Sequence, residues 1–135
     1  MTILFDEFLM SKDALRVYID GKMVFASPKD GLRPLLEYSV NPSPLKGKIV
    51  IYDRVVGNAA ALLAARLGCK EIFSPLGSKP GIKTLEQFGI KYHIVEVVEH
   101  ILQDNGIDMC PMEKLSTGKN PEQFFTAVGK IIKVR

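Results

Sequence analysis

The sequence has no tryptophan, and cysteine and histidine occur only twice each, as Cys69, Cys110, His93 and His100. Two cysteines exclude a disulfide scaffold, and a chain of 135 residues can bury a core without such staples. The four residues do not fall into the spacings that hold a structural or catalytic zinc ion. No apolar run approaches the roughly 18–20 residues needed to cross a bilayer. The first residues, MTILFDEFLMSKD, carry acids where a secretory signal carries bases, so the expectation is a cytoplasmic chain with no membrane partner. A basic block is also missing. The net charge is only +3 and its lysines and arginines are scattered, which ranks nucleic acid last among partners. There is no internal repeat and no linker-like stretch, so residues 1–135 read as one domain.

What is present is an alternation of helix and strand signals. Ile3, Leu4, Phe8 and Leu9 have helical spacing with Thr2 as a cap. Arg16 to Ala26 reads as two strands around the turn Asp20-Gly21, a strong hairpin signal. Gly31 to Tyr38 makes a short helix that tolerates Pro34 only in its first turn. Ile49 to Tyr52 is apolar without alternation, as in a strand buried on both faces. Val55 to Leu67 then reads as a helix stopped by Gly68, Lys70 to Phe73 as a strand, and Ser74 to Gly81 as a connecting loop. Lys79 to Phe88 is a helix stopped by Gly89, and Ile90 to Val95 a strand. Residues 116–135 form a C-terminal amphipathic helix, opened by Asn120-Pro121 and the capping-box residue Gln123, with Phe124, Phe125, Val128, Ile131 and Ile132 as its apolar face. A hairpin joined to right-handed crossovers gives an α/β fold: a mixed central sheet in three α/β/α layers.

The most hydrophobic stretch of the chain is broken by Asp53-Arg54, at the carboxyl end of a central strand, where open α/β sheets carry their ligands. Asp53 reads either as a helix cap or as an acid facing a pocket. Arg54, Gly57 and Asn58 would then bind ligand at the helix N-terminus. Lys29 and Arg33, before the preceding helix, are further ligand-binding candidates, or else lie in a solvated turn. Cys110 is a candidate nucleophile with Lys114 beside it and Glu113 as acid or base; equally, Met109, Cys110 and Met112 could be soft fillers beneath a loop. His93 reads as a strand residue without a chemical role, and His100 is assigned none.

Three stretches, Lys29 to Pro34, Tyr52 to Ala60 and Asp108 to Lys114, together with the element order, resemble the domain-of-unknown-function family numbered 1893, small bacterial and archaeal proteins. The resemblance implies a cytidine-deaminase-like fold. Zinc deaminases of that fold carry His or Cys, one residue, then Glu on one helix, and Pro-Cys-x-x-Cys on the next. The matching positions here read Asp30-Gly31-Leu32-Arg33 and Asp53-Arg54-Val55-Val56-Gly57, so neither motif is present, and a cluster of His100, Cys110 and Asp108 is a poor substitute. The expectation is therefore a zinc-free protein without cofactor. Its small anionic or nucleotide-like ligand is held by Arg54, Lys29, Arg33 and the Gly57 helix terminus, with Asp53, Cys110 and Glu113 as the reactive groups. A ligand-sensing module using the same pocket is the alternative, and apolar edge strands leave room for a homodimer.

Overall fold

The computed structural model describes residues 2–103, 106 and 109–131. In chain order the elements are α1 (Thr2–Met10), β1 (Leu15–Ile19), β2 (Lys22–Ser27), α2 (Arg33–Val40), β3 (Ile49–Asp53), β4 (Val55–Val56), α3 (Asn58–Leu67), β5 (Glu71–Ser78), α4 (Lys79–Gln87), β6 (Lys91–Val98), α5 (Pro111–Ser116) and α6 (Pro121–Ile131). No helix among the described residues is long and apolar enough to cross a membrane.

The hairpin forms at Asp20-Gly21, where both residues take positive φ (49° and 80°). That pair of angles suits the twist of the flanking strands, and only Gly, Asn and Asp adopt it readily. β1 pairs antiparallel with β2 on one side and with β3 on the other, while β3, β5 and β6 run parallel. The sheet is thus mixed, and β1 alone runs against its neighbours.

The break at Asp53-Arg54 differs from the sequence expectation. The chain does not turn into a helix at Val55; it remains extended as β4 and enters α3 only at Asn58. The facing segment from Ser74 to Ser78, expected to be a loop, continues β5 instead. The two corrections have one cause. β3 and β4 pair with β5 at the same offset of 21 residues, so they are one strand whose ladder lapses only at Asp53 and Arg54. The residue that the offset sets opposite Arg54 is Pro75, which has no N–H to give a ladder. Proline and glycine in this stretch read as a loop, yet Pro75 sits in a strand at the point where pairing is already interrupted.

The sheet has two unequal faces. On one, α2 and α3 pack over Val17, Ile51 and Ile72, with Phe124 and Val128 of α6 completing the main core. On the other, α1 packs Phe5 and Phe8 against Tyr18, Tyr52 and Phe73. Tyr52 and Phe73 are stacked with ring centroids 4.9 Å apart, and His93 stacks on Phe73 at 4.2 Å. The imidazole also meets Glu71 Oε2 at 2.6 Å, so His93 is taken up by the sheet.

Candidate functional site

Beside β4, where β1 has not yet begun and its neighbour is Ala14, the sheet opens into a cleft of about 590 Å³. Its walls bring together Asp53, the start of α2 at Gly31 and Leu32, the start of α3 at Gly57, and Cys110 to Glu113 of the α5 segment. The segment expected to be a loop around Cys110 therefore contains a helix. Pro111 is its first residue and Cys110 its N-cap, a proline-at-the-start signal present in the sequence but overridden by the preceding Asp104-Asn105-Gly106 turn. Asp104, Asn105 and Asp108 lie outside the described residues, and with Asp108 the cluster it was to form with His100 and Cys110.

Asp53 is only 6% exposed, and burial pushes its carboxyl up to about 7, against the opposing pull of the Val55 and Arg54 backbone amides. The neighbouring guanidinium has no part in this, because it faces the other side of the sheet. Arg54 Nε donates to the Asp13 carbonyl at 3.0 Å, Nη1 to Leu9 at 3.3 Å, and Nη2 to Phe8 and Ser11 at 2.9 Å each. Its Cζ lies 4.5 Å from the centre of the Phe8 ring. Four of its five donors thus serve carbonyls at the C-terminal end of α1, Phe8 and Leu9, and in the segment that follows it, Ser11 and Asp13. Arg54 borders the cleft, but its guanidinium is spent on α1 rather than free to grip an anion.

The helix terminus is likewise taken. Glu113 Oε1 and Oε2 accept from the Asn58 and Ala59 amides at 2.7 and 2.9 Å, so the first free N–H groups of α3 hold the chain's own carboxylate. Burial raises the Glu113 pKa, while the two amides pull it down. A Cβ on Gly57 would overlap that carboxylate, which is why the closest approach needs glycine. Asn58 is also committed: Nδ2 donates to the Ser116 carbonyl and hydroxyl at 3.2 and 2.9 Å, and Oδ1 accepts from Thr84. It ties α3 to α5 and α4 rather than reaching into the Asp53 cleft.

Lys29 and Arg33 do not join the site. Both donate to Glu37, at 3.0 and 3.2 Å, on the exposed side of α2, where their side chains remain 55% and 59% exposed. Lys114 is exposed and outside the cleft lining. Cys110 lines the cleft and is half-buried, whereas Cys69 is buried and pushed up to about 12, an inert thiol. Of the expected residues, Asp53, Cys110, Glu113, Gly57 and Arg54 share the cleft. Asp30 and Val55 join them, positions that sequence reasoning passed over as a turn and a helix.

Asp53 also carries a pH signature. Its ordinary value near 3.8 rises to about 7 on folding, so over that interval the native protein holds a proton that the unfolded chain releases. Stability then falls as pH rises through the interval and levels off above it. Asp53→Asn removes this slope. Urea titrations should show the variant gaining roughly 2 kcal/mol on the wild type between about pH 5 and about pH 8. Parallel curves for the two proteins would mean that Asp53 titrates as in water.

Comparison with known proteins agrees with this architecture. The family model for a domain of unknown function, DUF1893 (TM1506), matches residues 5–131. A solved DUF1893 family protein (TM1506) from Thermotoga maritima superimposes with a TM-score of 0.86 at 27% identity, covering 96% of this chain and 88% of that one. Among curated proteins, none matches the chain. With nearly its whole length accounted for by one family model, the chain belongs to the DUF1893 family.

Proposed function

We propose that the Asp53 cleft binds a small metabolite through a hydrogen-bond-donating, uncharged or cationic group, and that Asp53 meets its reactive end. One observation carries the reading: a buried carboxyl with a pKa near 7 opens onto a cleft of metabolite size. Such a group exchanges a proton at neutral pH, which is what a general acid or base needs. Cys110 borders the same cleft as a second candidate reactive group, and Leu32, Val55 and Met112 supply an apolar wall. This reading departs from the anionic half of the small anionic or nucleotide-like ligand expected from sequence. Asp30, Asp53 and Glu113 line the cleft, and its described cation, Arg54, is turned to α1. A base-like or amide-bearing group suits an acceptor-rich wall better than a phosphate.

We read the fold as cytidine-deaminase-like. Support comes from the mixed sheet in which β1 alone is reversed, and from a cleft bounded by the starts of α2 and α3. The residues at those two helix starts do not suit the zinc of that fold, since Leu32, Arg33, Gly57 and Asn58 include no metal-ligating side chain of the deaminase type. Among the described residues no three of His, Cys, Asp and Glu converge on one point.

The test is ligand-observed NMR on the full chain with a mixture of nucleosides, primary amides and amines, repeated with Asp53→Asn and Cys110→Ala. Binding by one class, weakened at least tenfold by Asp53→Asn, is the expected result. Turnover lost in Cys110→Ala with affinity retained would identify an enzyme, and a change in affinity alone a sensor. Binding that is indifferent to Asp53→Asn, or no binding in any class, would overturn the reading.

A further inference from the structure

On the other side of Glu113 a second cleft, of about 630 Å³, lies between α4, the α5–α6 junction and His100. Its chemistry is the reverse of the first. The described titratable groups on it are Lys83, Lys119, His100 and Glu113, and the Glu113 oxygens already accept from the two α3 amides. Lys119 Nζ gives one proton to the Leu115 carbonyl at 2.7 Å and keeps two.

The capping box of α6 adds to this. Asn120 Oδ1 accepts from the Gln123 amide at 2.8 Å, and Gln123 Oε1 accepts from the Asn120 amide at 2.9 Å. Both side-chain oxygens are thus occupied by backbone, which leaves both amide nitrogens with unspent donors at the cleft. The same hydrogen bonds fix the orientation of each amide. α6, 11 residues long, also starts at this cleft and adds the positive end of its dipole. Cations, amide donors and a helix start thus face one space, with Leu62, Met109 and the 42% exposed Phe88 as its apolar side.

We propose that this second cleft is a binding site for a small organic phosphate, its phosphate held by Lys83, Lys119 and the Asn120 and Gln123 amide nitrogens and its apolar body lying toward Phe88. The site is separate from the Asp53 cleft and stands whether or not that cleft binds anything. The two meet at Ile101 and Glu113, which line both.

The test is amide-resolved NMR of the full chain, titrated with inorganic phosphate and with phenyl phosphate at ionic strength matched by chloride. Saturable shifts are expected at Lys83, Thr84, Lys119 and Gln123, with Gly31 and Ala60 of the first cleft unmoved. Phenyl phosphate should bind more tightly than inorganic phosphate, and benzoate more weakly than phenyl phosphate. Lys83→Gln, a change at an exposed position that the fold tolerates, should weaken phosphate binding at least threefold, and Lys83→Gln with Lys119→Gln at least tenfold. Asp53→Asn should change nothing. Shifts that fail to saturate, that spread over lysines elsewhere, or that survive the double substitution would show general ion association and overturn the proposal. A preference for benzoate would overturn the phosphate assignment.

Discussion

Replacing Gly81 by alanine is expected to lower the melting temperature by roughly 10 °C, a loss of about 3 kcal/mol for a domain of this size. In an exposed helix the same change gains up to about 1 kcal/mol. Gly81 lies in the first turn of α4, where its amide donates to the Ser78 hydroxyl at 3.1 Å. An added Cβ would stand 2.8 Å from both the Gly57 carbonyl carbon and the Val56 oxygen. Those atoms are backbone, and neither side can yield. The α4 start is fixed by its Ser78 cap, and the β4–α3 turn by Glu113. Gly129, a helical glycine of α6 with open space around it, is the matched control, and its alanine variant should be stabilised by about 0.5–1 kcal/mol. Calorimetry of both variants settles the matter: shifts of the same sign would remove the argument for close backbone approach.

Arg54→Met is expected to cost about 3 kcal/mol, with the damage concentrated in α1. The substitution keeps an apolar stem over Phe8 but removes the guanidinium from four carbonyls at once, of which Phe8 alone keeps the Ser11 amide and hydroxyl. Water can satisfy some of them only if the end of α1 lifts from the aromatic cluster of Tyr18, Tyr52 and Phe73. Hydrogen exchange should therefore rise in residues 3–10 far more than in β3 or β5. Arg54→Lys should recover less than half of the loss, because one ammonium cannot span the fork that serves Phe8, Leu9, Ser11 and Asp13. Unchanged protection of α1 in Arg54→Met would assign the helix entirely to its hydrophobic contacts.

Much of the fold was legible because its signals are local. Asp20-Gly21, Pro34, Gly68, Gly89 and the Asn120–Gln123 box each act within a few residues, and each marks an observed boundary. What failed depends on pairing at a distance. Val55 and Val56 stay extended because Leu76 and Gly77 stand beside them, 21 residues along the chain. The site followed the same division. That Asp53 and Cys110 share a cleft could be anticipated from the position of a strand end and a returning segment. That Glu113 fills the helix terminus and Arg54 serves α1 could not, since both partnerships cross more than 40 residues of sequence. Lys29 and Arg33 misled for the opposite reason: a carboxylate close by in the chain, Glu37, had already claimed them. The second cleft was hidden because Lys83 and Lys119 look like ordinary solvated lysines until α4 and the α5–α6 junction are brought to one space.

The two charges that interrupt the strand, one step apart, are sorted by its pleat into separate compartments, which is why the acid is not neutralised by the base next to it. That sorting depends on parity. Adding a single residue to the strand just before Asp53 would exchange the two, swinging the guanidinium over the cavity and tucking the carboxylate against the carbonyls that end the first helix. Within this architecture, the sign of the charge facing the cleft is thus one codon away from inversion, at the expense of the contact that clamps the N-terminal helix.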